Sequence, residues 1–363
     1  MTSRSRWLIV GAFCVLMAPP HVHGQAAPQQ KAPPLNAYLG ALGLGPSQLA
    51  AAANGQAVVR LLKTDDNRDV AVSGVIAVRA PRDAVVAYAL EGRAFISAEP
   101  IRFGVFSHPP TAADVRQAAF DNSEYKDLRK CRRGDCDFKL TAASMQSFST
   151  GVDWSSPNAK PQADERLRAG LLQLVTDYER HGNAAMLTYD DARVPARTAD
   201  VFAALLAQSS QLSPYAPELF RYLETYPAGR PGAVRDLLYW AEERLPHMRP
   251  TLTVNHVVAY APPNGPAFIA RKQLYATHYF EGALQVLAVV DGGALAAPPS
   301  AEPMTYLVTV RRFRFDALPG GIMNVRGRVR SQLLDATRRD LSRTRAELQS
   351  LAAAAAASPT RQR

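Results

Sequence analysis

The sequence predicts an α+β protein in which a bent antiparallel sheet packs on one long C-terminal helix. Strand-like patterns occupy two separate parts of the chain, one before residue 110 and one after residue 250. Apolar residues at helical spacing fill much of the stretch between them, and a single long helical pattern ends the chain. Strands and helices that are segregated in this way are typical of α+β proteins rather than of alternating α/β folds.

The N-terminus has the layout of a secretory signal peptide. Arg4 and Arg6 precede an apolar run from Trp7 to Ala18, and a small-residue cleavage site follows at residues 22–24. The apolar run is too short to span a bilayer. We therefore expect residues 1–24 to be removed during export through a Sec-type pathway, either to the periplasm or to the outside of the cell.

The mature chain expected after this cleavage is basic. Two of the 42 Lys and Arg residues lie in the signal peptide, so 40 of them face 32 acidic residues. No later apolar run reaches spanning length, so the mature chain is predicted to have no transmembrane segment. Residues 25–36 are of low complexity and predict a disordered leader, and residues 358–363 predict a disordered tail.

Two strands and a short helix begin the predicted ordered part. QAVVRLL and DVAVSGVIAVRA flank a polar turn at Lys63–Arg68, which indicates a β-hairpin. Pro81 and Asp83 then introduce a helix over AVVAYAL, because proline suits a first helical turn and aspartate suits its positive end. IRFGVFS predicts a further strand.

The middle of the chain, residues 155–247, is predicted to be a helical insertion. Apolar residues recur at intervals of three and four from Leu167 to Tyr178 and again from Phe202 to Leu206. Turn signals divide the stretch into three or four helices, of which AVRDLLYWAEERL is the last. The sheet and the C-terminal helix are accordingly assigned to residues 37–150 and 248–357.

Strand patterns return after Arg249. TLTVNHVVAYA and AFIARKQLYATHYF flank Asn264-Gly265, a strong hairpin signal, and ALQVLAVVDGG and MTYLVTVRRFRF follow. The last segment, from about Met323 to Ala357, predicts one long helix. Its leucines at 334, 341 and 348 are seven residues apart and form an apolar stripe that must be buried. We expect this stripe to pack on the curved sheet.

The order of these elements resembles the START-like, helix-grip superfamily, in which a bent antiparallel sheet wraps the last helix. DVAVSGVIAVRAPRDAVVAYAL is similar to the strand-then-helix entry of those domains, and residues 155–247 would be an insertion into them. The resemblance implies an apolar cavity between the sheet and the C-terminal helix. LRKCRRGDCDFKL, LLYWAEERL, VNHVVAY and RKQLYATHYFEGAL also resemble segments of an uncharacterised family of secreted bacterial proteins, which implies no activity and no site.

Two cysteines remain after the predicted cleavage, Cys131 and Cys136. An even count in an oxidising compartment predicts a disulfide, and Gly134 gives the short ring the freedom to turn. No histidine lies within twenty residues of the pair, so a zinc site is not expected. The sequence also carries no nucleotide-binding or zinc-hydrolase motif, and we predict neither a metal nor a cofactor.

Polar residues set into apolar strands form a candidate cavity wall. His256 alternates with apolar residues along its strand and is expected to point inward, either as a neutral core histidine or as part of a ligand pocket. In the next strand, the parity of the hairpin loop decides which face joins His256. An even number of loop residues places the polar face of this strand, which includes Tyr275, beside His256. An odd number instead adds Lys272 to an apolar wall. The candidate ligand-binding residues are His256, Lys272, Tyr275, His278, Tyr279 and Glu281.

These features predict an exported, non-enzymatic protein that binds a hydrophobic or amphipathic, lipid-like small molecule between the sheet and the C-terminal helix. One alternative is an envelope hydrolase that uses His256 or His278 with Tyr279 or Glu281. Another is a scaffold that docks partners through its helical middle and its arginine-rich C-terminal helix. Segment 311–345 has ten arginines against three aspartates and predicts attraction to an anionic envelope surface, whereas nucleic acid is not an expected partner of an exported protein.

Overall fold

A large antiparallel sheet forms the centre of the protein. The computed structural model describes residues 35–91, 100–243, 248–295, 304–317 and 324–357. The predicted signal peptide, most of the predicted leader and the predicted tail lie outside these ranges. The strands, in chain order, are β1 (Val58–Leu62), β2 (Asp69–Val78), β3 (Arg102–Val105), β4 (Thr188–Tyr189), β5 (Ala196–Arg197), β6 (Val234–Glu243), β7 (Thr251–Tyr260), β8 (Ala267–Ala276), β9 (Phe280–Asp291) and β10 (Thr305–Phe315).

Eight of these strands pair in the order β1-β2-β10-β9-β8-β7-β6-β3, and β4 and β5 form a separate two-stranded ribbon. Every described pairing is antiparallel. The α-helices are α1 (Leu35–Ala41), α2 (Pro46–Ala53), α3 (Arg82–Leu90), α4 (Tyr125–Leu128), α5 (Ala142–Gly151), α6 (Ala159–His181), α7 (Thr198–Ala207), α8 (Pro217–Thr225) and α9 (Val325–Ala357).

The predicted fold class is confirmed, because the long helix α9 packs on the large antiparallel sheet. The buried side chains of α9 are Thr337, Leu341, Thr344 and Leu348, which recur at intervals of four and three. This spacing keeps them on one side of the helix. Leu334, the first leucine of the predicted stripe, is half-buried.

Helices cover both faces of the sheet. The α9 face is the side covered by α3 and α9, and it carries Ile269, Leu287 and Leu307. The α6 face is the opposite side, covered by α1 and α5–α8, and it carries residues such as Phe268 and Val308. Because successive strand residues point to opposite faces, both sets of side chains are buried.

Residues 234–243 form strand β6 and not the helix predicted for AVRDLLYWAEERL. Leu238 and Trp240 pack on the α6 face, whereas Tyr239 and Ala241 pack on the α9 face. A strand that is covered on both sides has consecutive apolar residues, so its pattern lacks the alternation that distinguishes a strand from a buried helix.

The local predictions for the first half of the chain and the disulfide are confirmed. The hairpin β1–β2, helix α3 and strand β3 form at the predicted places. Cys131 and Cys136 are disulfide-bonded. Within their ring the backbones of Arg132 and Asp135 pair, and Gly134 has a φ of +80°, a conformation that favours glycine.

Candidate functional site

Two of the predicted site residues, His256 and Lys272, lie side by side on the α6 face. Tyr260 pairs with Phe268 across the β7–β8 hairpin, which leaves an odd number of residues, 261–267, in the loop. The register then brings Lys272 opposite His256. Of the two registers that the sequence leaves open, this is the one that adds the lysine to the apolar wall.

A β-bulge in β8 changes which residues of that strand face α6. Val254 pairs with Tyr275 but Asn255 pairs with Gln273, so Leu274 is the extra residue. Leu274 and Tyr275 consequently both pack in the core on the α6 face. Without the bulge, alternation from Lys272 would place Tyr275 on the α9 face; with it, Tyr275 lies on the α6 face.

Polar contacts connect Lys272 to Asp236 through α6 and β7. The Lys272 Nζ lies 3.3 Å from the hydroxyl oxygen of Tyr178, which lies 2.9 Å from Nδ1 of His256. The Nε2 of His256 lies 3.6 Å from the Asp236 carboxylate, beyond hydrogen-bonding distance but within range of its charge. Lys272, Tyr178 and His256 are each at most 1% exposed. We call these four residues the buried polar chain.

The two ends of the buried polar chain have different surroundings. At the inner end, the Lys272 ammonium also contacts the side-chain oxygen of Asn183 and lies 4.0 Å from the centre of the Phe202 ring. At the outer end, the exposed guanidinium of Arg230 lies 3.0 Å from the Asp236 carboxylate. Among the described residues, no carboxylate contacts Lys272.

Burial shifts the pKa values along the buried polar chain. It lowers the pKa of Lys272 well below its usual value of 10.5, because the charged form loses its hydration. Burial likewise lowers the pKa of His256 below 6.5, and the Asp236 carboxylate opposes this shift only in part. The pKa of the Tyr178 phenol is raised well above 10 by burial. The environment therefore favours the neutral forms of Lys272, His256 and Tyr178.

The buried polar chain lies apart from the described pockets. None of the four pockets described for this structure is lined by Lys272, His256 or Tyr178. Its contacts instead join α6 to the middle of the sheet. The arrangement links α6 to β7 and β8 through side-chain hydrogen bonds.

His278, in the turn between β8 and β9, and Glu281, in β9, belong to other networks. The His278 Nε2 lies 2.6 Å from the Glu124 carboxylate, and both side chains are buried. Glu281 lies 3.2 Å from Arg68, and burial raises the pKa of Glu281 while Arg68 opposes that shift. His256 and His278 have no described partner in common, so the structure does not bring them together in one centre.

A pocket of about 460 Å³ opens between α5 and α6. Its apolar lining residues are Leu140, Phe148, Leu167, Leu171, Leu174, Leu187 and Tyr275. Its polar lining residues are Lys139, Thr141, Ser144, Ser147, Arg166, Gln173 and Asp177. Apolar walls with a few polar groups, in a volume of this order, are typical of small-molecule sites. Of the predicted site residues, Tyr275 lines this α5–α6 pocket.

The two basic side chains of the α5–α6 pocket differ in how their charge is balanced. The Lys139 Nζ lies 2.6 Å from the Asp191 carboxylate. Arg166 instead donates hydrogen bonds to the carbonyl oxygen of Gly151 and the hydroxyl of Ser147, both at 2.9 Å. Both of these acceptors are neutral. Within the described residues Arg166 has no ion pair, because Asp177, the one carboxylate of the described lining, accepts hydrogen bonds from Gln173 instead.

Two of the described spaces at the interface between the sheet and α9, where the sequence predicts the cavity, differ greatly in size. A gap of about 10 Å³ beside Leu341 is too small for an organic ligand. A pocket of about 510 Å³ lies near the start of α9, and Tyr279 is among its lining residues together with Phe315 and Val329. Phe315 is the one buried residue among its described lining residues, whereas seven of the residues that line the α5–α6 pocket are buried. The α5–α6 pocket has the more deeply buried walls.

The described residues contain few features of other site classes. They include no group of three His, Cys, Asp or Glu side chains that could hold a metal ion. Every helix in the same described ranges is too short or too polar to cross a membrane. In the helical middle, Val194 is the one large apolar side chain recorded there as strongly exposed, at 80%. An isolated residue of this kind is ordinary on a protein surface.

Sequence reasoning missed the partners that α6 and β6 supply. Tyr178 is the last residue of the apolar stripe of α6, and the helical spacing predicted only that it is buried in the core. Asp236 lies in the segment predicted to be a helix, which hid its place beside β7. No local signal in the sequence links either residue to Lys272, because the contact depends on how α6 packs against the sheet.

Comparisons with protein-family models, with curated proteins and with solved structures found no match to this chain.

Proposed function

We propose that the protein binds an amphipathic small molecule, such as a fatty acid, in the α5–α6 pocket. The observation that carries the proposal is the combination of buried apolar walls with the charge of Arg166, which has no ion pair among the described residues. An acyl chain would lie against the leucines and Tyr275, where each Å² of apolar surface removed from water contributes about 25 cal/mol. The carboxylate would lie beside Arg166. This ligand would occupy the α6 face rather than the space under α9.

We also propose that the protein acts outside the cytoplasm. The signal-peptide pattern of residues 1–24 supports this, and so does the Cys131–Cys136 disulfide, because such bonds persist in oxidising compartments. N-terminal sequencing of the exported protein should find Gln25 as the first residue. Recovery of the uncleaved chain in the cytoplasm would contradict this part of the proposal.

Attraction to an anionic envelope surface is a third part of the proposal. Arg311, Arg312 and Arg314 make hydrogen bonds inside the protein, to Asp340, Ser209 and Asp69 in turn. The attracting charge would therefore come from exposed arginines of α9, of which Arg338 and Arg339 are examples. Such attraction should weaken with added salt, because exposed charges are screened.

The pocket proposal is tested by filling the pocket without weakening the fold. Gly170 is an exposed helical residue that lines the pocket, and a Cβ atom added there meets no atom within 4 Å. Gly170→Phe should abolish binding of a fluorescent fatty-acid analogue. It should leave the melting temperature unchanged or higher, because glycine costs about 1 kcal/mol inside a helix. Ala143→Phe tests the same point from the opposite wall, on α5.

Gly40→Phe is the matched control, because Gly40 is also an exposed helical glycine with open space around its Cβ but does not line the pocket. It should bind the analogue as the wild type does. Equal binding by the wild type and both pocket-filling variants would overturn the proposal. So would an absence of saturable binding to the wild type at micromolar probe concentrations.

A further inference from the structure

A second, smaller pocket lies at the edge of the sheet, where the β1–β2 turn meets the first turns of α9. Its volume is about 200 Å³, enough for a small head group but not for a whole lipid. The side chains that distinguish it are those of Lys63 and Thr64 from the turn and of Arg326 and Arg330 from α9. We call it the α9 edge pocket.

Three basic side chains line this pocket from two elements. Arg326 and Arg330 are four residues apart on α9 and therefore lie on the same side of the helix, one turn apart. Arg326 donates to the Thr64 hydroxyl at 3.4 Å, and its buried Nε has no hydrogen-bond partner. Within the described part of the chain, no hydrogen bond or ion pair is recorded for Lys63 or Arg330.

The acidic residue of the lining does not balance this charge. Asp69 is the only carboxylate among the described lining residues. Both of its oxygens accept hydrogen bonds from Arg314, at 2.7 and 2.8 Å, and one also accepts from Gln208 of α7 at 3.0 Å. Because α7 covers the α6 face, the Asp69 carboxylate points away from α9. The α9 edge pocket is consequently a cluster of cations without a facing anion.

We propose that the α9 edge pocket binds an oxyanion, such as a phosphate or carboxylate group. Guanidinium groups present planar pairs of donors that match such anions, and the lysine adds a mobile point charge. Two like charges at i and i+4 destabilise a helix, and an anion bound between them would relieve that repulsion. The inference does not depend on the α5–α6 pocket. It adds one discrete site to the diffuse attraction proposed for the exposed arginines of α9.

The test titrates inorganic phosphate into the full-length mature protein and measures heat by calorimetry. We expect saturable binding with one site per chain in the wild type, and binding at least tenfold weaker in Arg330→Gln and in Lys63→Gln. Arg339→Gln is the control, because it removes the same charge from an exposed position of α9 that lines none of the described pockets. It should bind phosphate as the wild type does.

Two outcomes would overturn the site. One is an equal loss of affinity in Arg330→Gln and Arg339→Gln, which indicates diffuse attraction, and the other is an absence of saturation up to tens of millimolar phosphate. Vesicles of phosphatidylglycerol and phosphatidylcholine distinguish the source of the anion. If binding to the anionic vesicles falls in Arg330→Gln and free phosphate competes with it, the site takes a lipid head group. If free phosphate alone binds, the site takes a soluble anion.

Discussion

The two faces of the central sheet bury different kinds of side chain. On the α9 face, Leu341 and Leu348 pack against aliphatic strand residues, and the buried Arg311 lies 2.6 Å from the Asp340 carboxylate. On the α6 face, Lys272 is fully buried with no carboxylate in contact among the described residues. A buried leucine stabilises the fold, whereas a buried lysine without a counter-charge costs stability. Lys272 is thus a position on the α6 face at which stability is given up.

Truncating a leucine on the α9 face should have the largest effect. Leu341 is 3% exposed, so Leu341→Ala should lower the free energy of unfolding by about 2–4 kcal/mol in urea denaturation. Leu334→Ala is the matched control on the same helix. Leu334 is half-buried, and its truncation should cost about 1 kcal/mol or less. Equal losses in the two variants would show that the sheet does not shelter the central part of α9.

Replacing the buried lysine on the α6 face should have the opposite sign. Lys272→Met keeps the length of the side chain and removes the charge, and Tyr178 retains His256 as its hydrogen-bond partner. We expect the free energy of unfolding at pH 7 to rise by about 1–3 kcal/mol. Lys63→Met, at an exposed position of the β1–β2 turn, should change it by less than about 0.5 kcal/mol.

The pH dependence of that gain follows from the lowered pKa of Lys272. Between its lowered folded pKa and the usual 10.5, the unfolded chain binds more protons, so wild-type stability rises as the pH is raised from 7 towards 10. Methionine does not titrate. The difference between Lys272→Met and the wild type should therefore shrink over that range. A difference that stays constant with pH would mean that Lys272 keeps its ordinary pKa.

The elements with strong local signals could be predicted from the sequence. Pro81 and Asp83 marked α3, and Asn264-Gly265 marked the β7–β8 hairpin, where Gly265 has a φ of +91°. The leucines of α9 predicted its buried side. Strand β6 could not be distinguished from a helix, because helices cover both faces of the sheet there.

The candidate site was predicted less completely because it depends on register and on packing between distant segments. Lys272 lies beside His256 because the number of residues between the paired Tyr260 and Phe268 is odd. A bulge then brings Tyr275 onto the same face. Neither feature has a local signature. The α5–α6 pocket is formed by two helices, a loop and one strand residue, and only Tyr275 had drawn attention as a polar residue in an apolar strand.

The smallest predicted effect concerns His256 on the α6 face and is expected below pH 7. Burial lowers the pKa of His256 below 6.5, so as the pH falls through 6.5 the unfolded chain takes up a proton that the folded protein resists. The stability that the neutral His256 provides above that pH is then lost, with a slope of at most about 1.4 kcal/mol per pH unit. His256→Gln keeps a hydrogen-bonding side chain that does not titrate. Between pH 7 and 5 it should lose less stability than the wild type.

His181→Gln is the control for this measurement, because His181 is an exposed residue at the end of α6. Lys272, Tyr178, Tyr226, Asp236 and Arg230 surround His256 and are the same in the wild type and in both variants. The difference between the wild-type and His256→Gln stabilities, measured by thermal melting at each pH, therefore reports the protonation of His256. His181→Gln and His256→Gln could instead reduce the loss of stability between pH 7 and 5 by the same amount. Protonation of His256 would then not cause that loss. The contrast between the two faces would in that case rest on Lys272 alone.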